Sequence, residues 1–190
     1  MESSGLDPSK NGLLSVGAVD FSNPSNTFYG ECRLWEGGHI DPEGLAVNGF
    51  TEEEVRDAKK QTEGELVRAF LSWTETCPEK TIAGQNPSAD RDFLRASAHR
   101  SHIDWQFAYR TIDLHSIAYY HMLKRGMEIP TKHEHSALSL DKILVYCGVP
   151  EEPKPHNGLR GAKYEAEAFS RLFYDRNLLP EFAQYKIPWV

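Results

Sequence analysis

The sequence contains no run of apolar residues long enough to cross a membrane, which takes about 20 consecutive residues. Its first residues also lack the basic, apolar and small-residue regions of a secretory signal. These two absences predict a cytoplasmic protein with no membrane partner.

Cysteine is scarce, and Cys32, Cys77 and Cys147 lie far apart without forming a paired motif. Disulfide frameworks are typically built on an even number of cysteines, and zinc sites need closely spaced ligands. We therefore expect buried, reduced thiols. The eight histidines also show no zinc-finger or metalloprotease spacing.

An excess of positive charge is missing as well, since the formal net charge is −7. Proteins that bind long nucleic-acid duplexes through their phosphates need a basic surface, so this class is disfavoured. A nuclease is not excluded, because bound divalent cations supply positive charge locally.

Repeats and low-complexity segments are absent, and the length of 190 residues suits one domain with a proper core. A hydrophobic fraction of 39% and a charged fraction of 26% are ordinary for a globular protein. We expect a single domain over residues 1–190.

Local patterns predict several elements of this domain. Alternating and β-branched residues indicate two antiparallel strands, over residues 13–21 and 27–35. A Thr-x-x-Glu capping box predicts a helix that begins at Thr51, and Ser139 with Asp141 predicts another through Tyr146. Residues 62–74 are expected to continue or restart a helix, because Leu66, Phe70 and Trp73 form one apolar stripe. We expect loops over residues 37–49 and 126–135, and a C-terminal tail, residues 179–190, that packs on the body or on a second subunit as a homodimer.

The most informative stretch is Ile82–Leu94. Residues 81–83 end a short buried strand, and a helix follows over residues 90–100, with Ser88 as its cap and Asp90 in its first turn. A carboxylate just past a strand end lies at the rim of a sheet, where α/β proteins keep their sites. The alternative, that Asp90 only complements the helix dipole, stays open on this stretch alone. Three arginines of this helix are expected to face solvent: Arg91, Arg95 and Arg100.

A second stretch, Pro155–Phe173, completes a pattern that resembles the DnaQ-like 3′–5′ exonucleases of the DEDDh type. In that family a strand carries Asp-x-Glu, a helix start carries Asn-x-x-x-Asp, and a final helix opens with His-x-x-Leu-x-Asp-Ala. Asn86 and Asp90 match the second element. The third is matched by His156, Leu159 and Ala162, with glycine at position 161 in place of the aspartate.

The opening residues, Met-Glu-Ser-Ser-Gly-Leu-Asp-Pro, are similar to the family's first element entered late. Glu2 then matches its glutamate, and the first aspartate is expected just before Met1, on a first strand truncated at its N-terminus. With Gly161, two of the four acidic positions are missing. These departures imply weaker metal binding and slower hydrolysis than in a complete relative.

The resemblance implies an α/β fold, a ribonuclease H-like mixed sheet flanked by helices, and a metal-dependent 3′–5′ exonuclease. In the family four acids hold two Mg²⁺ or Mn²⁺ ions and a histidine acts as general base. Carried over, Glu2 and Asp90 are metal ligands and His156 is the base. Glu165 lies one turn beyond Gly161 on nearly the same helix face and is the candidate replacement ligand. Its alternative is a solvated helix residue.

The implied substrate is the 3′ end of single-stranded DNA or RNA, released as nucleoside monophosphates. The segment Ser3, Ser4, Gly5 and Leu6 is expected at the terminal sugar and base. Asn48 stands where relatives often have histidine, in the wall of the nucleotide pocket, and Asn86 is the further candidate contact. Two other acids are expected to be structural: Asp113 and Glu167.

A second function stays open beside the exonuclease. Gly161 favours a catalytically weak or inactive protein of the same fold that binds nucleic-acid ends or a protein partner. The matches at Asp90 and His156 favour the enzyme.

Overall fold

The computed structural model describes all residues from Met1 to Val190. The chain forms three small sheets and seven α-helices. The strands are β1 (Glu2–Ser3), β2 (Leu13–Val19), β3 (Thr27–Glu31), β4 (Ile82–Gly84), β5 (Thr111–Asp113), β6 (Thr131–Lys132) and β7 (His135–Ser136). The helices are α1 (Pro42–Asn48), α2 (Glu52–Arg56), α3 (Glu63–Thr74), α4 (Pro87–Arg100), α5 (Leu114–Lys124), α6 (Leu140–Tyr146) and α7 (Gly158–Tyr174), followed by a 3-10 turn at Pro180–Phe182. The predicted α/β class is confirmed.

Both antiparallel and parallel strand pairs occur, and the antiparallel sheet is separate from the parallel pair. The antiparallel sheet has the order β1-β2-β3, and β4 pairs with β5 in parallel. β1 pairs with β2 only at Glu2, opposite Ser15, and at Ser3, opposite Leu13. Beyond Ser15 no strand pairs with that edge of β2, and the edge of β4 away from β5 is also unpaired. The residues of both strands line one cavity, which therefore lies between the two sheets.

Two apolar cores support this arrangement. One lies among β2, α3 and α4 and contains Leu13, Leu66 and Phe93. The other lies among α5, α6, α7 and the C-terminal tail. The helix α7 packs directly on β2, and the close approach is made at Gly17, whose added Cβ would lie 2.1 Å from the backbone of Gly158.

Most of the capping predictions are confirmed. Thr51 forms a complete capping box, Ser139 caps α6, and Asp113 caps α5 as the predicted structural carboxylate. The helix expected over residues 62–74 is α3, and the structure adds a second capping box at Thr62. All three cysteines are free, as expected. None of the helices combines the length and the apolar character that crossing a bilayer demands.

Three local predictions are wrong. Ser88 does not cap α4, because the helix already begins at Pro87, after Asn86 in a left-handed conformation. Arg100 does not face solvent, because its guanidinium pairs with the buried Glu63 at 2.9 Å. The loop predicted over residues 37–49 contains α1, which Asp41 caps and Gly49 ends at a φ of 76°.

A buried ion pair fastens the C-terminal tail to the body of the protein. The side chains of Arg171 and Glu167 are fully inaccessible, and Arg171 Nε donates to Glu167 Oε1 at 2.7 Å. The second oxygen of Glu167 accepts the backbone N–H groups of Leu178 and Leu179. The remaining guanidinium donors bind oxygens of Cys147, Asn177, Phe182, Tyr185 and Lys186. Glu167 is thus structural, as predicted, and the tail packs on the body.

The contact between α7 and β2 can be tested at Gly17. We expect Gly17→Ala to lower the free energy of unfolding by about 1–3 kcal/mol, because the new Cβ meets backbone that cannot move without shifting α7. Gly44→Ala, in α1, is the matched control, because a Cβ at position 44 would have no other atom nearer than 3.5 Å. Urea unfolding of both variants measures the difference, and equal values would contradict the close packing.

The buried pair is tested by Arg171→Met. We expect a loss of about 3–5 kcal/mol in the free energy of unfolding, because Glu167 and the tail carbonyls stay buried without their donor. Arg56→Met removes a similar i,i+4 pair whose side chains are 50% and 69% exposed, and should change stability by less than about 1 kcal/mol. A loss of similar size in the two variants would show that Arg171 does not anchor the tail.

Candidate functional site

The cavity between the sheets has a volume of about 530 Å³ and collects most of the predicted catalytic residues. Its walls come from β2, β4, α3, α4 and α7. The acidic and histidine side chains at the end of the cavity near β1 are Glu2, Asp90, Glu152, His156 and Glu165. The residues predicted as ligands and base, which come from distant parts of the sequence, thus face one space.

Glu2 reaches the cavity because β1 pairs with β2 at its position. Burial raises the pKa of its carboxyl above the usual value, while the amino group of Met1 and His156 oppose the rise. Desolvation is the larger effect, so this side chain holds its proton more tightly than an exposed glutamate.

Asp90 lies in the first turn of α4, where the helix dipole favours a negative charge. Its Oδ1 is 3.1 Å from the amino nitrogen of Met1. Burial opposes the charge of that amino group, but the carboxylates of Asp90, Glu2 and Glu165 outweigh it and raise its pKa to about 10. The acids of the cavity therefore favour a cation beside Asp90.

Glu165, in α7, extends toward the end of β4. Its Oε1 accepts the backbone N–H of Gln85 at 3.1 Å, and its Oε2 would lie 2.9 Å from a Cβ at Gly84. Burial, and secondly the negative charge of Asp90, raise the pKa of the carboxyl to about 8. Glu165 is thus a partly buried member of the acidic group, with its carboxylate turned toward the end of β4.

His156 is delivered by the loop that precedes α7. Its backbone N–H donates to the carbonyl of Val47 at 3.2 Å, which ties this loop to α1. Its ring nitrogen Nδ1 lies 4.0 Å from Oε2 of Glu152, and 29% of its side chain is exposed. The imidazole therefore lies at the rim of the cavity and can reach both solvent and the acids.

Glu152 is a member of the group that the sequence motif does not identify. It lies in the loop between α6 and α7, and its side chain is 3% exposed. A Cβ placed on Gly161 would be 3.4 Å from its Oε2. The only sequence signal is a glutamate four residues before His156, a spacing that is too common to indicate a site.

The substrate candidates fall into two places. Asn48 donates to the carbonyl of Ser3 at 3.1 Å, so α1 holds the segment Ser3–Leu6 beside the loop of His156. The Ser4 hydroxyl is buried and bonded to a backbone carbonyl, whereas Leu6 is 92% exposed. Asn86 is not brought to this segment: it is exposed, and its backbone N–H donates to Asp113.

The donor set fits a divalent cation in chemistry and in charge. Glu2, Asp90 and Glu165 offer only carboxylate oxygens, the ligands that Mg²⁺ and Mn²⁺ prefer. Burial, and secondly the negative charge of Asp90, raise the pKa of Glu165, so a cation beside this carboxyl would stabilise its charged form. No group of three or more such side chains is already arranged at metal-binding distances, so holding an ion requires their side chains to rotate.

The raised pKa of Glu165 predicts how stability depends on pH. Between about 4.5 and 8 the folded protein keeps a proton that the unfolded chain releases, so without metal this group makes stability fall as pH rises. We expect Glu165→Gln to flatten this fall, with its largest gain over the native protein near pH 8. Urea unfolding at pH 5, 6.5 and 8 measures it, with Glu128→Gln as an exposed control. Parallel pH curves for the native protein and Glu165→Gln would exclude the raised pKa.

Comparison with known proteins gives structural but no sequence matches. The sequence matches no family model and no curated protein. E. coli exonuclease I in complex with a dA16 oligonucleotide has a similar structure, with a TM-score of 0.70 and 19% identity over 92% of this chain. The chain spans 40% of the length of that enzyme.

Two smaller nucleases are also similar. One is the nuclease domain of 3′hExo, a DEDDh family member bound to rAMP, with a TM-score of 0.61 and 14% identity over 89% of this chain and 84% of that domain. The other is cell-death related nuclease 4 (CRN-4), with a TM-score of 0.59 and 15% identity over 78% of this chain and 50% of that protein. The chain therefore has the ribonuclease H-like fold of the DnaQ-like exonucleases.

Proposed function

We propose that this protein is a metal-dependent 3′–5′ exonuclease that hydrolyses single-stranded DNA or RNA and releases nucleoside monophosphates. The observation that carries the proposal is the convergence of Glu2, Asp90 and Glu165 beside His156 in one cavity of a nuclease fold. Neighbours of this fold have been crystallised with single-stranded oligonucleotides and with rAMP, which supports a nucleic-acid end as the substrate.

In this proposal Glu2, Asp90 and Glu165 hold one or two Mg²⁺ or Mn²⁺ ions. Such ions, when bound, neutralise charge on a phosphate and lower the pKa of a water. Burial, and secondly the negative charge of Asp90, raise the pKa of Glu165, and a cation held between the two carboxylates would offset both effects. A bound ion would therefore lower the free energy of the ionised carboxylates that hold it.

His156 is the proposed general base. An imidazole exchanges protons near neutral pH, and its position at the rim of the cavity lets it take a proton from a water beside the acids. The carboxylate of Glu152 lies 4.0 Å from Nδ1 and faces the ring from the loop. The proton then leaves to solvent through the exposed side of the ring.

The proposed substrate path follows α1. The segment Ser3–Leu6, held by Asn48, offers backbone groups and the exposed side chain of Leu6 to the terminal nucleotide. Among the basic residues near His156, Arg160 and Lys163 pair with glutamates, whereas Lys154 is exposed and forms no ion pair. Lys154 is thus available for a phosphate of the entering strand.

The second candidate is a protein of this fold that binds nucleic-acid ends, or a protein partner, with little or no cleavage. The specific observation in its favour is that α7 has glycine at position 161, where the family carries an acid.

The assay that separates the two uses a 5′-labelled single strand with a free 3′ end in Mn²⁺. We expect stepwise shortening and release of mononucleotides, slowed roughly 10²–10⁴-fold in His156→Ala because the base is lost. His133→Ala, an exposed loop histidine, is the control and should match the native protein.

A strand with a blocked 3′ end should stay intact. If the native protein releases no mononucleotide but still binds the strand, the second candidate replaces the exonuclease.

A further inference from the structure

We infer that Glu152 takes the place of the acidic side chain that α7 lacks at Gly161, and that it contributes an oxygen to a bound divalent cation. This inference rests on the proposed function, since it assigns one more ligand to the same site. It names a residue from the loop before the helix, where no motif of the sequence places an acid.

The first support is the space that the carboxylate fills. A Cβ built on Gly161 would lie 3.4 Å from Oε2 of Glu152 and 3.8 Å from its Cδ and Oε1. A side chain that grew from position 161 would therefore enter the volume that this carboxylate now fills. The glycine and the glutamate are complementary, because the missing side chain leaves room for one that arrives from the loop.

The second support is the burial and partnering of the group. The Glu152 side chain is only 3% exposed, and a buried carboxylate is costly unless it is paired. Its Oε1 accepts the Asn157 N–H at 3.3 Å and Arg160 Nε at 3.4 Å. Its Oε2 accepts no hydrogen bond, and Nδ1 of His156 lies 4.0 Å from it. One oxygen thus lies unpartnered in the cavity that also contains Glu2, Asp90 and Glu165.

A purely structural role explains the contacts of Oε1 but not the position of Oε2. The hydrogen bond from Asn157 to Oε1 fixes the turn into α7, and Arg160 also binds the carbonyls of Pro153 and Pro155. Neither contact uses Oε2. A glutamine at position 152 keeps an oxygen for Asn157 but removes the charge, so it separates fastening the loop from binding a cation.

The test measures Mn²⁺ binding directly, by the electron paramagnetic resonance signal of the free ion. We expect Glu152→Gln to weaken Mn²⁺ binding roughly tenfold or more. Glu151→Gln, at the exposed neighbouring position, is the matched control and should bind as the native protein does. The double variant Glu152→Ala with Gly161→Asp should regain most of the affinity that Glu152→Ala loses, because the shortened side chain at position 152 leaves room for a carboxylate from the helix.

A measurement on the native chain does not depend on whether a variant folds. Mn²⁺ broadens nuclear resonances near its site, so the Asn157 amide, which donates to Glu152, should broaden together with that of Asp90. The inference is overturned if the Asn157 signal persists while that of Asp90 is lost.

It is also overturned if the native chain binds no Mn²⁺, if Glu152→Gln binds it equally well, or if Gly161→Asp restores nothing. Mn²⁺ binding that depends on Glu152, without any release of mononucleotides, would instead support the inference and reject the proposed enzyme.

Discussion

Several carboxylates share one cavity with too little positive charge, and this constraint governs the centre of the protein. Each acid arrives on a different element: Glu2 on β1, Asp90 on α4, Glu152 on a loop and Glu165 on α7. Burial and mutual repulsion together push the pKa of Glu165 to about 8. Such a group of carboxylates is stable only if protons or cations offset its negative charge.

The helix α7 connects the acidic cavity to the buried ion pair that holds the C-terminal tail. Its first turns carry Gly161 and Glu165 to the cavity, and its last turns contain the buried pair of Glu167 and Arg171. In that pair each charge is matched by an opposite charge and by hydrogen bonds, unlike the acids of the cavity. This pair fixes the C-terminal half of α7 to the tail. The N-terminal half of α7, which carries Gly161 and Glu165, is thereby held beside the cavity.

What the sequence predicted well is local in origin. Helix caps such as Thr51 and Asp113 depend on residues two or three positions away, so their patterns are visible in the chain. Motif spacing also placed Asp90, His156 and Glu165 around one cavity.

The sequence could not predict contacts between distant residues. Arg100 was expected in solvent because its partner, Glu63, lies on another helix. Glu152 was missed because its link to Gly161 depends on how the loop before α7 folds. The division of the sheet depends likewise on pairing between strands that are far apart in the chain.

The division of the sheet affects how fast the backbone amide hydrogens exchange with solvent. In most sheets the central strands exchange amide hydrogens with solvent most slowly, since both of their edges are paired. Here β2 and β4 each turn an unpaired edge toward the cavity. Beyond Ser15, slow exchange in β2 is therefore expected only at the alternate amides that face β3.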